Sequence, residues 1–205
     1  MALQQTDLLF DSQSKRDMTP VFLIGYMGTG KTTLGRAIAR KTGMEFIDLD
    51  WYIENRFHKS ISKIFEERGE DGFRQLERNM LQEVGEFEDT IISCGGGTPC
   101  FFDNMDYMNS HGRTVYLKAA DDVLFRRLRI SHTPRPIIAG KTDDELRDFI
   151  HQSVAAREAF YTKAQYVFSS DHLESRQQVS DSVQGLTDLL GIAPDSTAPD
   201  NAPRS

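Results

Sequence analysis

The chain has 205 residues, of which 39% are hydrophobic and 27% charged, and its formal net charge is −7. That length suits one domain able to bury a proper core, and the acidic balance argues against a general nucleic-acid or membrane-surface role. No apolar run approaches the roughly 18 residues of a membrane span. Met1 to Met18 lacks a signal-peptide pattern, and the two cysteines, Cys94 and Cys100, have no histidine nearby, so they read as reduced cytoplasmic thiols rather than zinc ligands.

Residues 1–19 mix Gln, Ser, Asp and Lys and read as a flexible leader, with Met18 a candidate natural start. The apolar run Val21-Phe22-Leu23-Ile24 predicts a strand, and it leads into Gly25-Tyr26-Met27-Gly28-Thr29-Gly30-Lys31-Thr32-Thr33. That is the phosphate-loop spacing G-x-x-x-x-G-K-[ST], and a helical pattern with Leu34, Ile38 and Ala39 follows at once. Gly25, Gly28 and Gly30 let the backbone approach an anion, Lys31 suits the β- and γ-phosphates, and the Thr32 hydroxyl suits Mg²⁺. A nucleoside triphosphate is the expected ligand, against a bare glycine-rich turn.

Glu45 to Asp50 predicts a strand running out into acidic residues, with Asp48 and Asp50 on one side if the backbone stays extended. A solvated turn capping a helix from Trp51 is the competing reading. Ser60 to Gly69 reads as a short capped helix and Phe73 to Leu81 as a second, on which Arg74 and Arg78 share a face. Thr90 to Cys94 reads as a buried strand ending in Gly95-Gly96-Gly97, a glycine run that marks close approach of a ligand or backbone unless it is a plain flexible turn. This strand ends without the Asp that holds magnesium in many nucleotide hydrolases, which leaves Asp48 as the metal's second protein contact.

A strand over Thr114–Leu117 and a helix over Asp121–Ile130 follow. Ser131 to Gly140 then carries Pro134-Arg135-Pro136 and no amphipathic period, as in a lid that closes to exclude water. His132 reads as a lid or surface residue. Thr142 and Glu145 form a capping box for a helix to about Tyr161, Tyr166 to Phe168 is the fifth strand, and Val179 to Leu190 a last helix stopped by Gly191. Residues 192–205 read as a disordered tail.

Strands alternating with helices predict an α/β fold: a doubly wound five-stranded parallel sheet with helices on both faces. Over residues 20–191, six motifs in order resemble the shikimate kinase family, a P-loop kinase group with a lid. They are the loop Gly25 to Thr32, Asp48-Leu49-Asp50, Phe73-Arg74-Gln75-Leu76-Glu77, Gly95-Gly96-Gly97, Arg135-Pro136 and Arg157-Glu158-Ala159-Phe160-Tyr161.

The resemblance implies ATP-dependent phosphorylation of the shikimate 3-hydroxyl, in aromatic amino-acid biosynthesis. It implies ATP contacts from Gly28, Thr29, Gly30, Lys31, Thr32 and Thr33, with Arg135 over the phosphates and Arg129 on the adenine. Thr32 and Asp48 would organise Mg²⁺, the latter through water. Asp50 would meet the attacking hydroxyl, Arg74 and Arg157 the shikimate carboxylate, and Gly96 and Gly97 the ring hydroxyls. Lys31, Asp50 and Arg135 are thus the expected catalytic residues, with substrate-binding helices over about 50–85, a lid over about 131–141, and a cytoplasmic monomer as the working form. Thr98-Pro99-Cys100-Phe101-Phe102 departs from the segment usual in the family, and the loop Ser170 to Arg176 matches too poorly to assign a residue. A gluconate kinase-like enzyme, or a nucleotide-binding module without transfer activity, are the rival readings.

Overall fold

The computed structural model describes residues 19–131 and 135–195; nearly all of the leader, most of the tail, and His132, Thr133 and Pro134 of the expected lid lie outside the described residues. Its sheet holds five parallel strands: β1 (Val21–Ile24), β2 (Glu45–Asp48), β3 (Thr90–Ser93), β4 (Arg113–Lys118) and β5 (Tyr166–Ser169), in the spatial order β2-β3-β1-β4-β5. Val21 of β1 opposes Ile91 on one side and Arg113 on the other. β1 is therefore central, and the loop leaving it opens where the winding direction changes, which is where such sheets bind ligands.

The two faces of β1 explain the layers. Phe22 and Ile24 face a core shared with Leu49, Phe73, Leu81, Leu124, Ile150 and other residues of the helices on that side. Val21 and Leu23 face a second core with Leu34, Ile38, Val183 and Leu186. The first is covered by α2 (Leu49–Phe57), α3 (Ile61–Gly85), α4 (Asn104–His111), α5 (Asp121–Ile130) and α6 (Asp143–Tyr161), the second by α1 (Lys31–Thr42) and α7 (Arg176–Leu190). Burial on both faces is why β1 and β3 read as unbroken buried runs rather than alternations. Thr142 and Ser175 cap α6 and α7 with complete capping boxes.

The structure refines the expected elements. β2 stops at Asp48, because Asp48 caps α2 through its side chain and Asp50 falls in that helix's first turn. The two carboxylates are therefore not strand neighbours on one side. The two helices expected on either side of residue 70 are both there: α3 is broken at Gly69, whose φ 68° and ψ −178° are not helical, so one helix stops at that glycine and a second runs on to Gly85. An unforeseen helix, α4, follows a short 3-10 turn at Thr98–Cys100. Ile192 packs on the second core and the Asp195 N–H donates to Lys41 O, so residues 192–195 run along the body. Cys94 and Cys100 are free thiols. Among the described residues no helix is long and apolar enough to cross a membrane.

Candidate active site

A cleft of about 790 Å³ opens at the C-terminal ends of the central strands. Its floor is the phosphate loop. Gly30 caps α1 at φ 92°, a left-handed conformation that favours glycine. Gly28, Gly30, Lys31, Thr32 and Thr33 line the cleft. Thr29 turns inward: its side chain is buried, and its hydroxyl and N–H both go to Tyr26 O.

The Lys31 ammonium donates to Gly25 O at 2.8 Å and Tyr26 O at 3.0 Å, which tethers it to the loop with one N–H left over. Burial pushes its pKa down to about 8, against the upward pull of Asp50, Cys94 and Asp48. A cation held at that cost gains most when phosphate charge arrives beside it. The Thr32 hydroxyl donates to Asp48 Oδ2 at 2.9 Å. Among the described residues no group of three or more His, Cys, Asp or Glu could hold a metal. One hydroxyl with one carboxylate, however, suits Mg²⁺, which keeps its waters and takes the rest of its shell from substrate phosphates. The donor set fits.

Asp50 also lines the cleft, with its side chain open to it. The surrounding protein mass raises its carboxyl to about 6, helped by Asp48 and Glu77 and opposed by Lys31. Across the glycine turn from Asp50 lie two arginines. A Cβ on Gly95 would sit 3.1 Å from Asp50 Oδ1 and from Glu77 Oε1, and a Cβ on Gly97 would sit 3.0 Å from both terminal nitrogens of Arg74. The triple glycine is thus where one guanidinium and two carboxylates crowd the backbone. Gly96 lines the cleft, and Arg157 Nη1 lies within ordinary contact of where its Cβ would be. Tyr161, fully buried, donates from its hydroxyl to Gly96 O at 2.6 Å and ties this turn to the end of α6, which carries Arg157. Arg74 pairs with Glu77 at 2.9 Å and Glu70 at 3.3 Å, whereas Arg157 has no carboxylate partner among the described residues.

Arg135 lines the cleft from the lid side, its guanidinium donating to Ser131 Oγ at 2.9 Å. Arg129 is not brought there. It pairs with Asp143 at 2.8 Å on the exposed side of α5. Arg127 takes the place instead, lining the cleft with Leu173 and Glu174 and reaching Gly28 O, Asp171 O and Glu174 Oε1. Sequence reasoning missed Arg127 and also Glu77, a carboxylate with 1% exposure that receives a 2.5 Å hydrogen bond from the Thr98 hydroxyl. The arginine-rich turn of α5 and the motif Phe73 to Glu77 were the available signals.

The fold and this cleft together define a P-loop kinase. A model of the family described as shikimate kinase matches residues 27–187. A shikimate kinase of Bacteroides thetaiotaomicron is 62% identical over 175 residues, which cover 85% of this chain and all of that protein. The crystal structure of a shikimate kinase from the same organism superposes with a TM-score of 0.83 at 61% identity, covering 85% of this chain and 99% of the other. The shikimate kinase of Acinetobacter baumannii, solved in complex with shikimate, gives 0.73 at 27% identity over 85% and 94% of the two chains. The chain belongs to the shikimate kinase family.

Proposed function

We propose that this site phosphorylates shikimate on its 3-hydroxyl with ATP as donor, and that the residues divide the work as follows. Gly28, Gly30, Thr32 and Thr33 hold the triphosphate against the start of α1, with Lys31 on the phosphates undergoing transfer. Thr32 directly, and Asp48 through water, hold Mg²⁺, which when bound neutralises charge on the phosphate oxygens. Asp50 accepts a hydrogen bond from the 3-hydroxyl and orients it. Arg74 and Arg157 bind the carboxylate of shikimate, for which a planar guanidinium is the matching donor. The turn at Gly96 and Gly97 lies against the ring hydroxyls. Arg135 covers the phosphates when the lid segment closes, and Arg127, rather than Arg129, borders the base. Thr29 acts beneath the loop by holding Tyr26 O.

The observation that carries this reading is the crowding of Asp50, Arg74 and Arg157 around Gly95–Gly97, beside Lys31, Thr32 and Asp48. Phosphoryl transfer needs positioning and charge neutralisation more than covalent chemistry, and this cluster supplies both. The enzyme works as a cytoplasmic monomer on small molecules, without nucleic acid or membrane; its acidic balance supports the last point. ADP release measured with shikimate, gluconate and nucleoside monophosphates tests the acceptor. Turnover with shikimate alone is expected, and preference for another acceptor would overturn the reading.

A further inference from the structure

The segment after the triple glycine, Thr98 to Asp103, builds a face against α3. The Arg74 guanidinium carbon lies 4.0 Å from the centroid of the Phe101 ring, nearer than Phe73 at 5.2 Å or Phe65 at 5.8 Å. Phe65 and Phe73 are themselves stacked at 4.3 Å. Aromatic faces therefore cover the cation from more than one element, while Glu77 and Glu70 take terminal nitrogens in its plane. Its Nε–H is buried without a partner.

The approach of Phe101 is held at a cost. Phe102, the next residue, has φ 50°, a left-handed conformation that a bulky side chain rarely adopts. It is held there from several sides. Arg78 lies over the Phe102 ring at 5.3 Å and pairs with Asp103 at 2.7 Å. Thr98, at the other end, bonds Glu77, and Asn104 Nδ2 donates to Thr98 O at 2.9 Å. Both ends of the segment are thus pinned to residues of α3 or to the segment itself, and the ring between them rests on Arg74.

We propose that Phe101 is a positioning residue for acceptor binding. Its ring fixes the plane in which the Arg74 guanidinium receives a carboxylate, and so selects an acceptor carrying one. The proposal rests on the reading of Arg74 as a carboxylate-binding residue. A guanidinium free to swing on its long side chain must be ordered at the moment of binding, whereas one held under a ring is ordered in advance. The attraction of the cation to the ring face supplies that hold without using any N–H donor.

The test measures Michaelis constants for shikimate and ATP, turnover and thermal unfolding in Phe101→Leu, Phe101→Tyr, Arg74→Lys and the Phe101→Leu/Arg74→Lys double variant. Phe101→Leu is expected to raise the Michaelis constant for shikimate roughly tenfold. That for ATP, turnover and the melting temperature should stay near their native values. Phe101→Tyr, which keeps the ring face, should restore shikimate binding, and the double variant should be no worse than Arg74→Lys alone. Equal losses for both substrates, with no recovery in Phe101→Tyr, would make Phe101 a packing residue and overturn the proposal. A native constant in Phe101→Leu beside a raised one in Arg74→Lys would overturn it while leaving the role of Arg74 standing. Native constants in both would overturn the role of Arg74 itself.

Discussion

Thr32 and Asp48 are joined by a 2.9 Å hydrogen bond that ties the first turn of α1 to the end of β2. Asp48 has a second task on its other oxygen, which accepts from the Trp51 N–H at 3.4 Å and caps α2. The two tasks can be separated. Asp48→Asn keeps a good cap, so stability should hold within about 0.5 kcal/mol. The loss of charge should weaken magnesium-dependent turnover on the order of 10- to 100-fold. Asp48→Ala should also lose the cap, at about 1 kcal/mol. Magnesium titrations of turnover, run beside thermal unfolding, check both halves; an Asn variant with native magnesium dependence would remove Asp48 from the metal's surroundings.

The pH profile follows from two groups. Asp50 must be ionised to accept the hydroxyl proton's hydrogen bond, and its carboxyl sits at about 6. Lys31 must be protonated, and its ammonium sits at about 8. kcat/KM for ATP, which reports the free enzyme, should therefore rise through the first value and fall through the second. Stability moves the other way around Asp50. Its folded pKa lies above the ordinary 3.8, so between those values the folded state holds a proton that the unfolded chain has lost. Folding is then favoured below the ordinary value and loses that contribution as pH rises to about 6. Asp50→Asn should accordingly be inactive yet more heat-stable than the native chain at neutral pH, with the difference vanishing in acid. A variant less stable at neutral pH would contradict the electrostatic account of this residue.

Glu77 is the buried anion on which Arg74 and Thr98 both depend. Removing it leaves a largely buried guanidinium without its main partner, and Glu77→Ala should cost about 3–5 kcal/mol in urea unfolding. Glu77→Gln keeps an acceptor for Thr98 and should cost less, while weakening shikimate binding through Arg74. An alanine variant of native stability would mean that Glu70 and the aromatic rings hold Arg74 unaided.

The parts of this molecule that were legible in the sequence are those fixed by local geometry. The phosphate loop needs glycines, a lysine and a hydroxyl at set spacings, and strand, loop and helix all follow within thirteen residues, Val21 to Thr33. The capping box at Thr142 and the stop at Gly191 are equally local. What was not legible depends on pieces far apart in sequence. Asp48 and Asp50 do reach one cleft, but through a helix cap and a first turn, not through strand alternation. Arg127 and Arg129 differ by two residues, about 200° around a helix, and only the packing of α5 decides which of them turns inward. Thr98 and Glu77 are 21 residues apart, so neither announces the other.

Arg135 is tied to Ser131 at the cleft wall, with no carboxylate partner among the described residues. An arginine that meets the phosphates only on closure stabilises the transition state more than the open complex. Arg135→Ala should lower turnover by about 10³-fold, with ATP affinity changed much less and the melting temperature unchanged. Near-native turnover at saturating ATP and shikimate would reduce Arg135 to a surface contact of the lid segment.

In the proposed reaction Asp50 presents one hydroxyl of a carboxylate-anchored shikimate to the phosphate held by Lys31. The most direct measurement is the position of the phosphate in the product, read from phosphorus–proton couplings by NMR after incubation with ATP, Mg²⁺ and shikimate. A single product phosphorylated on the 3-hydroxyl is expected, formed in step with ADP and abolished in Lys31→Ala, which should stay folded. Phosphate on another hydroxyl, or ADP formed with free phosphate and no phosphorylated acceptor, would contradict it.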